Sequence, residues 1–386
     1  MAGVRIGIPK ERRAGERRVA VSVDMVKKLS AMGVSVAIES GAGTNAALSD
    51  AELADAGAEI SGDVANVLGQ ADVVLKVRGL LGAGDEGPDE MAMMNSGGVL
   101  VGLLDPYGER PRIDDYASRG VTAFAMEFIP RISRAQPMDA LSSQSNIAGY
   151  KAAVVAATVF GRIFPMMMTA AGTIAPARVL VLGAGVAGLQ AIATARRLGG
   201  VISAFDVRPA VKEQVESLGA RFIEVPTDED EGGEDLGGYA KEMSADYQRR
   251  QADLIHETLK KTDIVITTAL IPGKPAPRLI TEAMLDDMRA GSVVVDLAVE
   301  AGGNCAGSQP NQTTTRGGVT IVGPVNLPAQ VAIDTSALYA RNLLSFLSLI
   351  INQENGELAI DWEDEIISGA LLTRDGAVVH PNLVSD

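Results

Sequence analysis

The sequence predicts an α/β protein made of two doubly wound, mostly parallel sheets, and three observations predict it. Short apolar runs alternate with helical stretches along two separate blocks, as βαβ units require. A glycine-rich turn with a strand on either side and an acidic residue beyond it lies in the second block. Two long helical stretches, at about 142–160 and 329–351, bracket that block.

The first block carries strand candidates at 4–8, 34–39, 72–77, 99–104 and 121–126, with helical stretches at 23–32, 50–56 and 113–118. The second block runs from 178 to about 322 and adds strand candidates at 221–225, 263–267, 292–297 and 319–322. In the second long helix Leu343, Leu347 and Ile350 recur at helical spacing. The second block therefore reads as an insertion, with the long helices as struts. The expected domains are 1–139 plus 331–386 and 140–330, facing each other across a cleft. The tail from 357 to 380 should rejoin the first domain as short extended pieces.

The bulk properties exclude several classes. A length of 386 residues suggests two domains. The net charge of -15 argues against nucleic acid, since nothing could neutralise a phosphate backbone. Cys305 is the only cysteine, so an intrachain disulfide is impossible and a reducing compartment is expected. The chain opens directly on a strand, Val4-Arg5-Ile6-Gly7-Ile8, with no secretory signal. The apolar stretch 152–172 is broken by Arg162 and Pro165, and 343–351 is too short to span a bilayer. A soluble protein without direct membrane insertion is expected.

The turn is the most specific feature. Val179-Leu180-Val181-Leu182 leads into Gly183-Ala184-Gly185-Val186-Ala187-Gly188, a helix-forming stretch follows to Leu198, and the next apolar run, 201–205, ends at Asp206. Gly183 permits the tight turn, Gly185 lets a pyrophosphate approach the backbone, and Gly188 lets helix and strand pack closely. The helix start offers free N–H groups and a positive dipole end. Asp206 can accept from both adenosine ribose hydroxyls and would repel a 2′-phosphate, so NAD(H) is expected rather than NADP(H). These features make the second domain Rossmann-like. A purely structural tight turn is the competing reading.

Gly41-Ala42-Gly43-Thr44-Asn45-Ala46 also follows a strand, but no acidic residue closes a later strand, and Ser49-Asp50 looks like a helix cap. A structural turn is expected there, so the first domain holds no nucleotide. The acidic, glycine-rich stretch 227–238 cannot be buried and leads into a largely polar helical stretch at 239–261. It reads either as a solvated connector or as a lid over the nucleotide, with Tyr239 and Met243 as apolar contacts.

No spacing of His, Cys, Asp or Glu suggests a metal site. The two histidines, His256 and His380, read as surface or tail residues before they read as catalysts. Oxidation of an alcohol or amine moves a proton with the hydride and needs a placed acid or base, whereas exchange between two nicotinamides does not. The scarcity of histidine fits the second case, although Lys76 could serve as a base. The segment 131–146 is dense in Arg, Ser, Gln and Asp. It reads either as a polar hinge with capping residues or as the holder of a nicotinamide carboxamide and ribose, where alignment of reacting atoms matters most.

Over nearly its whole length the chain resembles the proton-translocating NAD(P) transhydrogenase family, in its NAD(H)-binding component, domain I, the first part of the alpha subunit. The runs that carry the resemblance are Ile8-Pro9-Lys10-Glu11-Arg12-Arg13, the stretch 130–150, 164–173, the glycine turn, 267–277 and 296–305. The resemblance implies that Arg131, Asp139 and Ser142 hold the nicotinamide end of NAD(H), and that Gln136 reaches toward NADP(H) on a partner subunit. It implies Val186, Ala187 and Gly188 on the pyrophosphate and Asp206 on the adenosine ribose, with Val207 and Arg208 beside it. Gly238, Tyr239 and Met243 would belong to a mobile loop at about 227–243, with Gln251 nearby, and Thr268, Ala269 and Leu270 would line the far wall.

The implied assembly is a homodimer docked on membrane-spanning subunits, one of which carries an NADP(H)-binding domain. Hydride would pass directly between the nicotinamides, coupled to proton translocation. The chain would then be cytoplasmic, peripheral on the cytoplasmic face of the inner (plasma) membrane. Because it stops at Asp386, the membrane part is expected on separate chains. The related alanine dehydrogenase gives the alternative, an NAD-dependent amino-acid dehydrogenase. Arg18 and Lys76 match its pyruvate-holding residues, but its catalytic histidine would fall near Leu104, where none exists, and its aspartate corresponds to Glu300. The glycine-rich stretch 80–88 and Pro324-Val325 before Asn326 depart from the transhydrogenase pattern. A non-enzymatic nucleotide-sensing module is the third reading.

Overall fold

The computed structural model describes residues 3–225 and 244–384, which form two compact units, 1–144 with 329–386 and 145–328. The expected Gly238, Tyr239 and Met243, and the expected loop at 227–243, lie outside the described residues. In chain order the first strands are β1 (Arg5–Ile8), β2 (Ser35–Glu39), β3 (Glu59–Ser61), β4 (Val73–Arg78), β5 (Val99–Leu103) and β6 (Thr122–Ala125). A hairpin follows, β7 (Met167–Thr169) and β8 (Gly172–Ile174). Next come β9 (Arg178–Leu182), β10 (Val201–Phe205), β11 (Arg221–Phe222), β12 (Ile264–Thr267), β13 (Val293–Asp296), β14 (Gln312–Arg316) and β15 (Val319–Gly323). The tail supplies β16 (Leu371–Arg374) and β17 (Ala377–Val378).

The sheet of the first unit runs β17-β16-β6-β5-β4-β1-β2-β3. Its strands β1 to β6 pair in parallel, while β16 and β17 add antiparallel at the edge. The second unit repeats the plan as β11-β10-β9-β12-β13-β15-β14, with β14 antiparallel to β15. Each sheet is doubly wound. The winding reverses between β1 and β4 in the first unit and between β9 and β12 in the second. Such reversals open a crevice at the carboxyl ends of the strands, where ligands bind in open α/β sheets.

Burial on both faces explains why these strands read as unbroken apolar runs. In β9, Val179 and Val181 join a cluster with Ala191, Ile192, Ile264 and Ile266. Leu180 and Leu182, on the opposite face, pack with Phe205, Tyr247, Ile255 and Val265. In β4, Val73, Leu75 and Val77 face one cluster and Val74 the other. Full burial of each such side chain contributes about 1.5–3 kcal/mol, so a polar residue on either face would be costly.

The two long helices are Ala140–Val159 and Ala332–Ile350. The second buries Tyr339, Leu343, Phe346, Leu347 and Ile350 along one stripe, including the three residues whose spacing predicted it. Phe346 meets Phe124 of β6 edge to face, ring centres 5.3 Å apart.

One expectation needs correction. The tail is not all extended, because Asp364 caps a helix, Glu365–Ala370, by accepting from the Ile366 amide at 2.8 Å. The stretch expected to be polar on most faces forms the helix Ala245–Leu259, capped by Ser244, and is so: it buries only Tyr247, Gln251, Ile255 and Leu259. Their spacing of four residues makes one continuous stripe against β9 and β12. No helix among the described residues is long and apolar enough to cross a membrane.

Candidate functional site

In the second unit the candidate contacts follow the carboxyl ends of three adjacent parallel strands. After β9, Gly183 turns the chain with a φ of 96°, a backbone that side chains rarely adopt. The helix Val186–Arg197 starts at Gly185, which provides no side-chain cap. Its first amides therefore lack intrahelical partners and, at the positive end of the helix, stabilise an anion. Behind the turn the fit is tight, since a Cβ at Gly188 would lie 1.9 Å from the Gly183 carbonyl oxygen. In front it is open, since a Cβ at Gly185 would meet nothing nearer than Arg208 Nη2 at 4.0 Å. Val186 and Ala187 present their backbone in this opening turn of the helix, so the cradle fits a dinucleotide pyrophosphate.

Asp206 follows β10. Its carboxylate accepts from the Ala184 amide at 2.7 Å and from the Arg208 amide, Nε and Nη2, each at 2.9 Å. The resemblance placed Arg208 beside Asp206, but it did not reveal that the guanidinium covers the carboxylate. Val207 packs against the cluster that contains Phe205. After β12, the Thr268 amide donates to the Leu182 carbonyl at 2.8 Å and its hydroxyl to the Gly183 carbonyl at 3.0 Å. Thr268 thus ties the far wall to the turn. Ala269 is held by Asn304, and Leu270 is 45% exposed. Gln251 is buried in the stripe between Tyr247 and Ile255.

Arg131, Gln136, Asp139 and Ser142 belong to the first unit. Arg131 and Gln136 are exposed. Asp139 accepts the Ser142 amide at 2.8 Å and its hydroxyl at 2.5 Å, at the start of the helix Ala140–Val159. The capping role open to these two residues is therefore present. Two partners of this segment were not anticipated. Asp364 pairs with Arg134 at 2.7 and 3.1 Å, and Asn342 donates to the Pro137 carbonyl at 2.8 Å while accepting from the Ser143 hydroxyl at 2.7 Å. Both pairings lie within the first unit, and Arg131 and Gln136 stay exposed.

The reversal point of the first unit is filled with paired charge. Lys76, 1% exposed, lies 3.0 Å from Glu90 and 3.4 Å from Glu11. Burial raises the Glu11 carboxyl above its ordinary value, against the pull of Lys76. Arg18 is held by Glu16 through Nε at 2.9 Å and Nη2 at 2.7 Å, and it donates to Gln144 at 2.8 Å. Both cations thus have internal partners, and Lys76 is not an exposed base. Leu104 is buried, with Asp105 beside it on left-handed backbone, φ 49°.

The histidines divide. His256 meets Asp287 at 2.8 Å near the surface. His380, expected as an ordinary tail residue, is buried: its Nε2 donates to Gly369 at 3.1 Å and its Nδ1 accepts from Asn382 at 3.2 Å. Burial lowers its pKa from the ordinary value. Its ring also packs against Phe128, tilted by 32° with ring centres 4.3 Å apart. At Gly41 the carboxylate of Asp50 accepts the amide at 2.8 Å, and Ser49 and Glu52 form a capping box, a local structural turn. No group of three or more potential metal ligands occurs among the described residues.

Two family descriptions match the chain: alanine dehydrogenase/PNT, N-terminal domain, over residues 7–148, and alanine dehydrogenase/PNT, C-terminal domain, over residues 152–381. The chain is 55% identical over 380 residues to the first part of the NAD(P) transhydrogenase alpha subunit of Rhodospirillum rubrum, covering 98% of this chain and 99% of that one. The crystal structure of transhydrogenase from Sinorhizobium meliloti superposes with a TM-score of 0.86 at 49% identity, covering 97% and 100%. A structure of L-alanine dehydrogenase superposes with a TM-score of 0.80 at 26% identity, covering 98% of each chain.

Proposed function

The chain belongs to the alanine dehydrogenase/PNT family, as the first part of an NAD(P) transhydrogenase alpha subunit, and on that footing we propose that its second unit holds NAD(H) for direct exchange with NADP(H) on a partner subunit. The observation that carries this reading is the uncapped helix start behind Gly183, Gly185 and Gly188, with Asp206 one strand away. Val186, Ala187 and Gly188 would hold the pyrophosphate, Asp206 the adenosine ribose, and Thr268, Ala269 and Leu270 the opposite wall. When bound, the nicotinamide supplies the hydride. The chain's own work is to bind, orient and exclude water. Arg131, Asp139 and Ser142 would orient the nicotinamide, and Gln136 would face the partner's nucleotide.

No proton accompanies exchange between two nicotinamides, so this function needs no placed acid or base. That agrees with a buried Leu104 at the end of β5, and with His380 buried on Phe128 and Gly369. Alignment is then the main contribution to rate. Read with the resemblance, the chain works as a homodimer of two-domain subunits, with 1–139 plus 331–386 as one domain and 140–330 as the other. It sits on the cytoplasmic face of the inner membrane, against membrane subunits that couple the exchange to proton translocation. Gly238, Tyr239, Met243 and Gln251 complete the nucleotide contacts in this proposal.

The test is a pair of assays on the purified chain. With NAD and L-alanine it should form no NADH. With its NADP(H)-binding partner and NADP(H) present, it should reduce an oxidised NAD analogue from NADH. Rapid alanine-dependent NADH formation would overturn the reading in favour of an amino-acid dehydrogenase.

A further inference from the structure

Behind the far wall of the nucleotide pocket lies Asn304, fully buried at 0% exposure. Its side chain reaches both ends of one loop. Oδ1 accepts from the Ala269 amide at 3.0 Å, while Nδ2 donates to the Ala269 carbonyl at 2.9 Å and to the Pro277 carbonyl at 2.8 Å. The assignment of nitrogen and oxygen follows from these partners, since the two carbonyls can only accept. The backbone of Asn304 is fixed as well, its carbonyl accepting from Leu279 and Ile280 at 2.9 Å each.

The loop between these ends has little else to hold it. Pro272, Gly273, Lys274 and Pro275 are exposed, and the prolines among them have no amide to donate. Ala276 donates to Ala301 at 2.7 Å, and Lys274 to Ile271 within the loop. Ala269 is therefore the point where an exposed loop meets the pocket wall. From Ala269 the connection continues through Thr268, whose hydroxyl reaches the carbonyl of Gly183.

We infer that Asn304 is a positioning residue for the nucleotide pocket: it clasps Ala269 and Pro277 and so holds the Thr268–Leu270 wall against the glycine turn before NAD(H) arrives. The inference rests on the reading that NAD(H) occupies this site. A wall held in advance costs less ordering on binding than one that must be fixed by the ligand. An aspartate of the same shape would put a carboxylate oxygen against two carbonyls and lose both donors. Once protonated, it would again present one donor and one acceptor.

The experiment is NADH titration of the whole chain and of Asn304→Asp, followed by nucleotide fluorescence between pH 5.5 and 8. The variant should bind NADH roughly tenfold more weakly at pH 8, and recover as the pH falls. The parent chain should show no such recovery. A variant that binds like the parent at every pH overturns the inference, and so does a loss that pH does not relieve. If the variant does not fold, hydrogen exchange at the Ala269 amide of the parent decides: slow exchange without nucleotide supports the clasp, fast exchange overturns it. Should the parent itself fail to bind NADH, the site reading falls instead, and the two failures are thereby distinguished.

Discussion

Replacing Asp206 with asparagine removes one charge and keeps the shape of the side chain. The carboxylate already accepts four hydrogen bonds, from the Ala184 amide at 2.7 Å and from the Arg208 amide, Nε and Nη2 at 2.9 Å each. A carboxylate offers about four lone-pair sites, so in the proposed site ribose hydroxyls would have to displace donors. The two backbone amides are fixed, which leaves the guanidinium as the group that yields. A hydrogen bond to a charged acceptor contributes about 1.5–3 kcal/mol. Because each ribose bond replaces an Arg208 bond, the net loss in Asp206→Asn belongs at the lower end, about 1.5 kcal/mol or roughly tenfold in NADH affinity. The same change removes a negative charge that repels a 2′-phosphate, so NADPH binding should strengthen and discrimination should fall by more than tenfold. Parallel fluorescence titrations with NADH and NADPH, on protein verified as folded by circular dichroism, measure both numbers. Unchanged affinities for both nucleotides would remove Asp206 from the ribose site.

Three further outcomes are expected. Glu127 Oε1 accepts the Asp105 amide at 2.7 Å, Oε2 is buried without a hydrogen-bond partner, and burial pushes the carboxyl up to about 7 from 4.5. A raised folded-state value stabilises below the unfolded pKa, and that stability is lost as pH rises through about 7. The span is worth up to about 3 kcal/mol, so Glu127→Gln should flatten the decline between pH 5 and 8. Urea unfolding followed by Trp362, the single tryptophan and a residue of the first unit, reads this directly; parallel slopes for the two proteins would contradict it. Gly188→Ala should abolish NADH binding and destabilise the second unit, because its Cβ would fall 1.9 Å from the Gly183 oxygen. Retained affinity would show that the turn can relax. Cys305 is 0% exposed, and burial with Asp296 nearby pushes its thiol up to about 12. A disulfide reagent at pH 8 should leave it unmodified until denaturant is added, and labelling of the native chain within minutes would speak against this burial.

The parts of the fold that were legible in the sequence are those whose signal is local. Val179 to Leu182 and Val293 to Val295 read as strands because parallel strands are apolar on both faces. The fingerprint was legible for the same reason, since its glycines and Asp206 lie within one βαβ unit. Strand β14, Gln-Thr-Thr-Thr-Arg, was not, because an edge strand open to solvent needs no apolar pattern. The helix Glu365–Ala370 was hidden by its length, too short for periodicity to register. In the candidate site, Asn342 and Asp364 pair across 205 and 230 residues and leave no trace in spacing. Asn304 reaches back 35 residues, and its neighbours Gly303 and Cys305 carry no hint of a buried amide's task. The cover that Arg208 places on Asp206 is local, but composition cannot distinguish a salt bridge from a solvated pair.

The edge strands β16 and β17 come from the last stretch of the chain, yet they complete a sheet begun at Arg5. Residues 145–328 are one contiguous stretch, whereas the first unit joins 1–144 to 329–386 and is complete only once its C-terminal strands are made. During synthesis β6 lacks its partner β16 until Leu371–Arg374 are made, and an unpaired strand border is sticky. Cells that make this chain therefore have a reason to shield its amino-terminal third until those strands are made. A deletion of the final strands would harm that third while sparing the later-emerging nucleotide fold.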